Sequence, residues 1–293
     1  MAPGWVAETI AIWTQFPQRR GILDLTRRNI VDLPEEIFRM RKLEKLLLNH
    51  NLIECLPAGL GRLAEANLLT CIECEDNLLT EVHEDVASVQ SLETLHLAGN
   101  RIEIFPGFVS KLYQLIDLDL SRNQLKEVPG AIGNLLFLER LNLSHNQLTH
   151  LPQTVMNLAR LIDLDISHNQ LDHLPPGIAN LSRLNRLSLQ QNLFEELPTE
   201  MGFLIGVEEW HLEDNPFTLM PEIHEKKLYN RAILNFLRAK IRKDPEMRLL
   251  LFNEKDSKYN TFFETVEGED KPVLVGATPE KLVVFLTQLS MPG

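Results

Sequence analysis

The stretch LIDLDLSRNQL, from Leu115 to Leu125, recurs through this chain of 293 residues. Close copies follow it as LERLNLSHNQL, LIDLDISHNQL and LNRLSLQQNLF. Each copy holds an asparagine at the same place, and these anchor asparagines are Asn51, Asn77, Asn100, Asn123, Asn146, Asn169, Asn192 and Asn215. A fixed period of this kind is the signature of a repeat protein, in which each unit stacks on its neighbours.

The period is regular from Asn77 onward, with 23 residues between successive anchors. The step from Asn51 to Asn77 is 26 residues, which predicts an insertion of about three residues near 63–68. Arg28 holds the anchor position of one further copy, because Leu23, Leu25 and Ile30 have the matching offsets. We therefore count nine repeats, of which the first has arginine in place of asparagine.

The residue pattern of one repeat predicts its local structure. Alternating leucines predict a short strand whose apolar side chains point to one side. The asparagine follows the strand, where its amide can bond to the backbone of a buried turn. Proline occurs six residues after every anchor except Asn77 and is expected to open the return segment. Since one repeat cannot bury its leucines alone, we expect an α/β solenoid with parallel strands on the inside of an arc.

The form LPxxIxxLxxLxxLxLSxNxL resembles the leucine-rich repeats of the intracellular, Ras-associated class. The resemblance extends over residues 21–221, so it implies a leucine-rich repeat solenoid. It also implies that the protein binds other proteins through the concave face of the arc and works in the cytoplasm.

The strand positions six and four residues before each anchor are expected to point out of the core. The candidate partner-binding residues at these positions are Asp117, Asp119, Arg140, Asn142, Asp163, Asp165, Arg186, Glu209 and His211. The first of the two positions alternates in charge from Asp117 to Glu209, and neighbouring strands lie about 5 Å apart, so lateral pairing is expected. Two interpretations stay open: a protein-binding surface, or a solvated face whose charges pair with one another at little gain.

Two more positions, two residues and one residue before each anchor, are expected to continue the outward face. They add Arg27, His50, Glu75, Asp76, Arg122, His145, His168, Glu213 and Asp214. Aromatic residues are scarce on this face, and Trp210 takes a leucine position of the core. The expected face is therefore polar and partly acidic.

Both ends of the solenoid need closing, because the terminal repeats would otherwise expose their leucines. The segment Trp5–Phe16 has apolar residues at helical spacing and predicts an N-terminal helical cap within residues 1–20. Residues 222–243 predict an amphipathic C-terminal cap helix rich in lysine and arginine. This basic segment is either the solvated side of a cap or a site for an acidic partner or lipid.

The chain then changes character. Residues 244–270 read as a polar connector. The stretch VLVGATPEKLVVFLTQL begins at Val273, and Thr278 and Pro279 suit the start of a helix. It resembles the opening of the N-terminal helical module of Ras-type guanine nucleotide exchange factors, through Val275–Thr278, Lys281–Val283, Leu286 and Thr287. The alternative is an unrelated amphipathic helix that packs back on the cap.

The exchange-factor resemblance implies that residues 271–293 begin such a module and that the exchange domain is absent from this chain. The chain would then be the front of a longer exchange factor, or a short product of the same gene. The corresponding function is an interaction scaffold that serves as the recognition arm of the exchange factor. The alternative is a stand-alone adaptor that binds a Ras-like small GTPase or another signalling protein.

Composition and motifs exclude several other classes. The formal net charge of −12 argues against nucleic-acid binding, and no apolar run reaches the length of a membrane span. Three cysteines, an odd number, fit a reducing compartment. Cys71 and Cys74 form a lone C-x-x-C whose side chains are expected to point to opposite sides, with Cys71 facing out. No motif predicts a catalytic, cofactor-binding or metal site, so we expect that the protein is not an enzyme. We also expect a monomer.

Overall fold

The computed structural model describes residues 21–40, 42–66, 68–204, 206–218, 236–240, 263–264 and 273–274. The predicted cap at 1–20 lies outside the described residues, as does the cap at 222–243 except for a helical piece at 236–240. The connector at 244–270 and the exchange-factor segment at 271–293 also lie outside them, apart from two short strands. These caps and boundaries stay predictions, and so does the count of nine repeats.

Within residues 21–218 the chain forms short strands at regular intervals. In chain order they are β1 Ile22–Asp24, β2 Lys45–Leu47, β3 Cys55–Leu56, β4 Cys71–Glu73, β5 Glu81–Val82, β6 Thr94–His96, β7 Asp117–Asp119, β8 Arg140–Asn142, β9 Asp163–Asp165, β10 Arg186–Ser188 and β11 Glu209–His211. Nine of them form one parallel sheet in the order β1-β2-β4-β6-β7-β8-β9-β10-β11. The predicted solenoid with parallel strands is confirmed.

Two smaller pairings lie outside the main sheet. Strands β3 and β5, which follow Asn51 and Asn77 in the chain, pair in parallel with each other. Strands β12 (Phe263–Glu264) and β13 (Val273–Leu274) pair antiparallel. Among the helices that the structure describes, none combines the length and the apolar character needed to cross a membrane.

The return segments contain short 3₁₀ helices rather than α-helices. They span Glu35–Arg39, Ala58–Ala66, Glu84–Ser88, Gly107–Lys111, Gly130–Asn134, Gln153–Asn157, Ile178–Asn180 and Thr199–Phe203. Ala58–Ala66 is the longest, with 9 residues, and it accommodates the predicted insertion in the step from Asn51 to Asn77. Where the proline position holds His83, its ring nitrogen accepts a hydrogen bond from the Asp85 backbone and so caps the following 3₁₀ helix.

The core is one continuous column of leucines between the sheet and the return segments. The middle residue of each main-sheet strand is buried, from Leu23 in β1 to Trp210 in β11. The prediction that Trp210 belongs to the core is thereby confirmed, and its indole nitrogen donates to the Val207 carbonyl at 3.2 Å. Each buried leucine contributes about 1.5–3 kcal/mol through loss of apolar surface from water, so stacking supplies most of the stabilisation.

The anchor asparagines tie each turn to the preceding repeat. At Asn146 the side-chain nitrogen donates to the carbonyl oxygens of Leu120 and Leu143, each at 3.0 Å. Its side-chain oxygen accepts a hydrogen bond from the Leu125 backbone N–H, also at 3.0 Å. Leu120 lies in the preceding repeat, and its carbonyl also accepts from Asn123 at 3.1 Å. The carbonyls of Leu48, Leu97, Leu120, Leu143, Ile166 and Leu189 are each shared in this way by two successive anchors.

The same bonds to the preceding repeat occur at every anchor. They are made by Asn51, Asn77, Asn100, Asn123, Asn146, Asn169, Asn192 and Asn215. We call this series of asparagine hydrogen bonds the ladder. The bonds of Asn77 reach Leu48 and Ile53, so the ladder continues across the insertion. The predicted role of the anchor amide is confirmed.

The residue before each anchor has left-handed backbone geometry, which corrects one sequence-based expectation. The positive φ angles are 58° at Arg27, 56° at His50, 50° at Asp76, 67° at Gly99, 53° at Arg122, 53° at His145, 53° at His168, 53° at Gln191 and 56° at Asp214. The main-sheet strands end four residues before each anchor, so the positions two and one before it are turn residues and not outward strand positions. The left-handed residue reverses the chain, which extended backbone cannot do.

Replacement of an anchor should destabilise the stack. In Asn146→Leu the buried Leu125 N–H loses its acceptor and three carbonyls lose a donor, so we expect a loss of about 3 kcal/mol in unfolding free energy. Urea denaturation, monitored by circular dichroism, measures this loss of unfolding free energy. The exposed neighbour provides the control, since Gln147→Ala should change stability by less than about 0.5 kcal/mol. Equal effects of the two changes would contradict the role given to the ladder.

The left-handed turn position should discriminate between side chains by backbone strain. At Gln191 we expect valine to lower stability by about 1–2 kcal/mol relative to glycine, because a β-branched residue is strained at positive φ. The comparison is made by thermal unfolding of Gln191→Val and Gln191→Gly. Gln170→Val, at an exposed position without positive φ, should lie within about 0.5 kcal/mol of the parent protein. Indistinguishable Val and Gly variants at 191 would refute the strain.

Candidate functional site

The first and third residues of each main-sheet strand share one side of the sheet, which we call the concave face. The first residues align across the sheet as Ile22, Lys45, Cys71, Thr94, Asp117, Arg140, Asp163, Arg186 and Glu209. The third residues align as Asp24, Leu47, Glu73, His96, Asp119, Asn142, Asp165, Ser188 and His211. The structure thus brings all nine candidate residues onto one surface formed by β7 to β11.

The charges of the first position pair in two separate groups. In the first group Arg140 Nε lies 2.7 Å from Asp117 Oδ2, and His96 Nε2 lies 3.2 Å from Asp117 Oδ1. His96 also approaches Glu75 at 3.4 Å. Burial opposes the charge of Asp117, but hydrogen bonds from His96 and Arg140 lower the pKa of this carboxyl below its ordinary value. In this group both carboxylate oxygens of Asp117 have a charged or titratable partner.

The second group surrounds Arg186. Its guanidinium lies 3.3 Å from Asp163, 3.9 Å from Asp165 and 3.6 Å from Glu209. His211 Nε2 lies 4.0 Å from the same Glu209 oxygen. The Arg186 and Glu209 side chains are 41% and 61% exposed, so this cluster is open to a partner.

The predicted alternation of charge therefore gives lateral pairing only in part. Arg140 and Asp163 are opposite each other in β8 and β9, yet among the described residues they form no ion pair within 4.0 Å. Arg140 bonds back to Asp117 and Asp163 bonds forward to Arg186. The surface consequently carries two distinct clusters rather than one uniform charged strip.

The third strand positions have a structural role that the sequence reasoning missed. Asp119 accepts from the Ser121 backbone at 2.8 Å, and Asp165 accepts from the Ser167 backbone and hydroxyl at 3.0 and 2.6 Å. Asn142 makes the same contacts with Ser144. The sequence signal is Asp or Asn two residues before serine, which favours such a local turn. These side chains end the strand as well as line the concave face.

The turn residues form a second polar row beside the concave face. His145 and His168, one repeat apart, stack with ring centroids 3.8 Å apart and an interplanar angle of 14°. Burial and the neighbouring His168 lower the pKa of His145 below its ordinary value. Asp76 joins this row through His50 and Arg122, each at 3.2 Å. The row is polar and contacts the concave face where Glu75 approaches His96.

The cysteines do not form a reactive pair. Cys71 lies in the first row of the concave face, as expected, but neighbouring side chains cover it, and Cys74 is fully buried in the core. Burial is the main cause that raises the pKa of the Cys71 thiol to about 11, and Glu73 adds to it. Burial also raises the pKa of Cys74. Both thiols are protonated at neutral pH, and thiols in this form are poor nucleophiles.

Several exposed apolar side chains lie outside the strands of the concave face, although Ile22 in its first row is 39% exposed. Tyr113, Leu136 and Phe137 are exposed in the segments that lead back toward the strands. The Arg160 guanidinium carbon stands 4.4 Å from the centroid of the Phe137 ring. The sequence reasoning did not select these residues, because their repeat position carries no consistent residue type that would mark it.

Comparisons with known proteins agree with this architecture. A family model described as a leucine-rich repeat region matches residues 105–204, and another described as a leucine-rich repeat matches residues 91–112. A curated relative, the probable inactive serine/threonine-protein kinase roco10 of Dictyostelium discoideum, is 33% identical over 96 residues. The match covers 31% of this chain and 3% of that relative.

Several solved structures are also similar. A leucine-rich repeat protein of Leptospira interrogans is 35% identical with a TM-score of 0.66, over 68% of this chain and 50% of that one. The leucine-rich repeat ectodomain of the Arabidopsis thaliana receptor kinase GASSHO1/SCHENGEN3, in complex with CASPARIAN STRIP INTEGRITY FACTOR 2, is 27% identical with a TM-score of 0.56. That match covers 66% of this chain and 27% of the receptor.

The chain thus spans half of the Leptospira protein and smaller parts of the other two. The matched residues include every strand from β7 to β10. The described solenoid therefore shares the fold of these leucine-rich repeat proteins, and residues 91–204 match leucine-rich repeat family models.

Proposed function

We propose that this protein is an interaction scaffold whose concave face, between β7 and β11, binds a protein partner. The observation that carries the proposal is the continuous nine-stranded parallel sheet, which holds polar side chains in register from β6 to β11. Leucine-rich repeat domains are typically interaction modules, and a long inner surface is what a solenoid offers to a partner. The plant receptor complex named above supports the use of such a domain for recognition.

The candidate residues divide by how well the fold already satisfies them. Asp117 and Arg140 bond to each other, and Asp119 bonds to Asn142 at 3.0 Å. The side chains from β9 to β11 form longer contacts around Arg186. Since a charge that is already well paired gains little from a partner, the centre of binding lies in the part from β9 to β11.

We propose more specifically that the protein serves as the recognition arm of a Ras-family exchange factor and acts in the cytoplasm as a monomer. The stretch from Val275 to Thr287, which resembles the start of an exchange-factor module, supports this proposal. The free thiols of Cys55, Cys71 and Cys74 fit a reducing compartment. The alternative is an adaptor that binds a Ras-like small GTPase or another signalling protein through the same face.

Charge reversal on the concave face should abolish partner capture. With Asp117, Asp163 and Asp165 all changed to Lys, a partner that complements these carboxylates meets repulsion, so we expect at least a tenfold loss, or about 1.4 kcal/mol. Affinity capture from cell extract, quantified by mass spectrometry, measures it. Because Asp165 also caps a turn, Glu209→Lys alone provides a variant that leaves that bond intact.

The matched control carries the same reversal outside the main-sheet strands, in the segments that follow the anchor asparagines. Glu103, Glu127 and Asp172 are exposed there, and their change to Lys adds the same positive charge. This control should capture the partner as the parent protein does, with circular dichroism confirming that all variants are folded. Undiminished capture by the concave-face variants would contradict the proposal.

The chain alone should not accelerate nucleotide exchange. The proposal gives the repeats and the segment from Val275 to Thr287 a recognition role only, so we expect them not to displace a bound nucleotide. The test follows release of fluorescent GDP from Ras-like GTPases at increasing concentrations of this chain, with EDTA as the positive control. Accelerated release would contradict the assignment of a recognition role.

A further inference from the structure

Two aspartates at equivalent positions of the concave face are satisfied to different degrees. Both oxygens of Asp117 have a partner, in Arg140 at 2.7 Å and His96 at 3.2 Å. Asp163 Oδ2 lies 3.3 Å from Arg186, whereas Asp163 Oδ1 is buried and has no hydrogen-bond partner among the described residues. Charge-assisted hydrogen bonds are normally about 2.7–2.9 Å long. The Asp163 carboxylate therefore has an oxygen that could accept a further hydrogen bond.

The same region carries unbalanced negative charge. The single guanidinium of Arg186 faces the three carboxylates of Asp163, Asp165 and Glu209, at 3.3 to 3.9 Å. Two negative charges remain uncompensated, and His211 compensates one only when it is protonated. We call Asp163, Asp165, Arg186, Glu209 and the adjacent Ser188 the Arg186 cluster.

Ser188 supplies an independent sign of an unfilled site. Its side chain is 1% exposed, and its hydroxyl oxygen has no hydrogen-bond partner among the described residues. It lies in register between Asp165 and His211, on the same side of the sheet as the carboxylates. A buried polar atom without a partner is unfavourable by about 1–3 kcal/mol, and such atoms in folded proteins call for an explanation.

The protonation behaviour of Asp163 agrees with the geometry. Burial raises the pKa of the Asp163 carboxyl above its ordinary value, against the opposing influence of Arg186. The equivalent carboxyl of Asp117 is shifted in the other direction by its two partners. The two pKa shifts differ because Asp117 accepts hydrogen bonds from both His96 and Arg140, whereas Asp163 has only Arg186 as a partner among the described residues and stands near the carboxylates of Asp165 and Glu209.

We propose that the Arg186 cluster is a subsite for an arginine side chain in a basic segment of the partner protein. The proposal rests on the function proposed above and names the chemistry of that partner. The incoming guanidinium donates to Asp163 Oδ1 and Ser188 Oγ and balances the charge of Glu209. Both acceptor atoms are buried in the free protein, so the ligand reaches them as Arg186 turns toward Asp165 and Glu209. The Arg186 side chain is 41% exposed and its Nε has no hydrogen-bond partner among the described residues, so this movement breaks no hydrogen bond of Nε.

Arginine fits this subsite better than lysine or an anion. A guanidinium presents five N–H donors in a rigid fork and is more weakly hydrated than an ammonium, so it can serve several separated acceptors in a partly buried site. An anion would be repelled by the net negative charge of the cluster. The proposed ligand is therefore a guanidinium held on a peptide segment.

The experiment measures binding of the full chain to a fluorescein-labelled peptide of alternating glycine and arginine, by fluorescence anisotropy at low salt. Peptides with lysine or glutamate in place of arginine are run beside it. We expect the arginine peptide to bind most tightly and Asp163→Asn to weaken it about tenfold, because one charge-assisted bond is lost. Ser188→Ala should weaken it several-fold without lowering the urea midpoint, since the hydroxyl has no partner in the free protein.

The matched control is Asp117→Asn, which removes the same charge from the same row but from a carboxylate that is already fully bonded. This change should weaken the binding of the arginine peptide by less than about twofold. Equal loss for Asp117→Asn and Asp163→Asn would indicate attraction to the overall negative charge and would overturn the subsite. Unchanged binding in both Asp163→Asn and Ser188→Ala would overturn it as well.

The outcomes also separate this inference from the proposed function. If the concave face captures a partner but the arginine peptide does not depend on Asp163, the subsite is wrong and the scaffold function stands. If the peptide depends on Asp163 but charge reversal leaves partner capture undiminished, the subsite stands and the scaffold function of this face is wrong.

Discussion

The fold depends on the hydrogen bonds of the anchor asparagines. An amide side chain donates and accepts at once, and here it serves carbonyls of two successive repeats and an N–H of the earlier one. The groups it satisfies lie in irregular backbone beside the leucine core, where water cannot replace it. Leucine stacking supplies the larger free energy, but without this ladder the stack would bury unpaired backbone groups in every turn.

The ladder also determines what the concave face can present. Because it holds every repeat in the same phase, side chains at equivalent positions of neighbouring strands meet laterally, as Asp117 and Arg140 do. The face then inherits its chemistry from only two residues of each strand. A change of one residue type in one repeat, such as serine at 188, is enough to leave a local site without internal partners.

Much of this arrangement could be predicted from the sequence. The period placed all main-sheet strands, and the alternation within it identified both rows of the concave face. The turn at the position before the anchor was assigned wrongly, because its residue types vary and the left-handed geometry is imposed by the repeat rather than by glycine. The partition of charges into two clusters was also beyond reach, since alternating charges at equal spacing can pair in either direction and side-chain packing decides which.

The ladder has a direction along the chain. Each anchor satisfies groups of the repeat before it, as Asn146 does for Leu125, so a repeat becomes fully bonded only when the following one is in place. During synthesis on the ribosome, where the N-terminal repeats emerge first, the newest repeat always waits for its successor. Growth of the solenoid therefore resembles a zipper closed from the N-terminal side, and a pause in translation leaves one unsatisfied repeat rather than a disordered array.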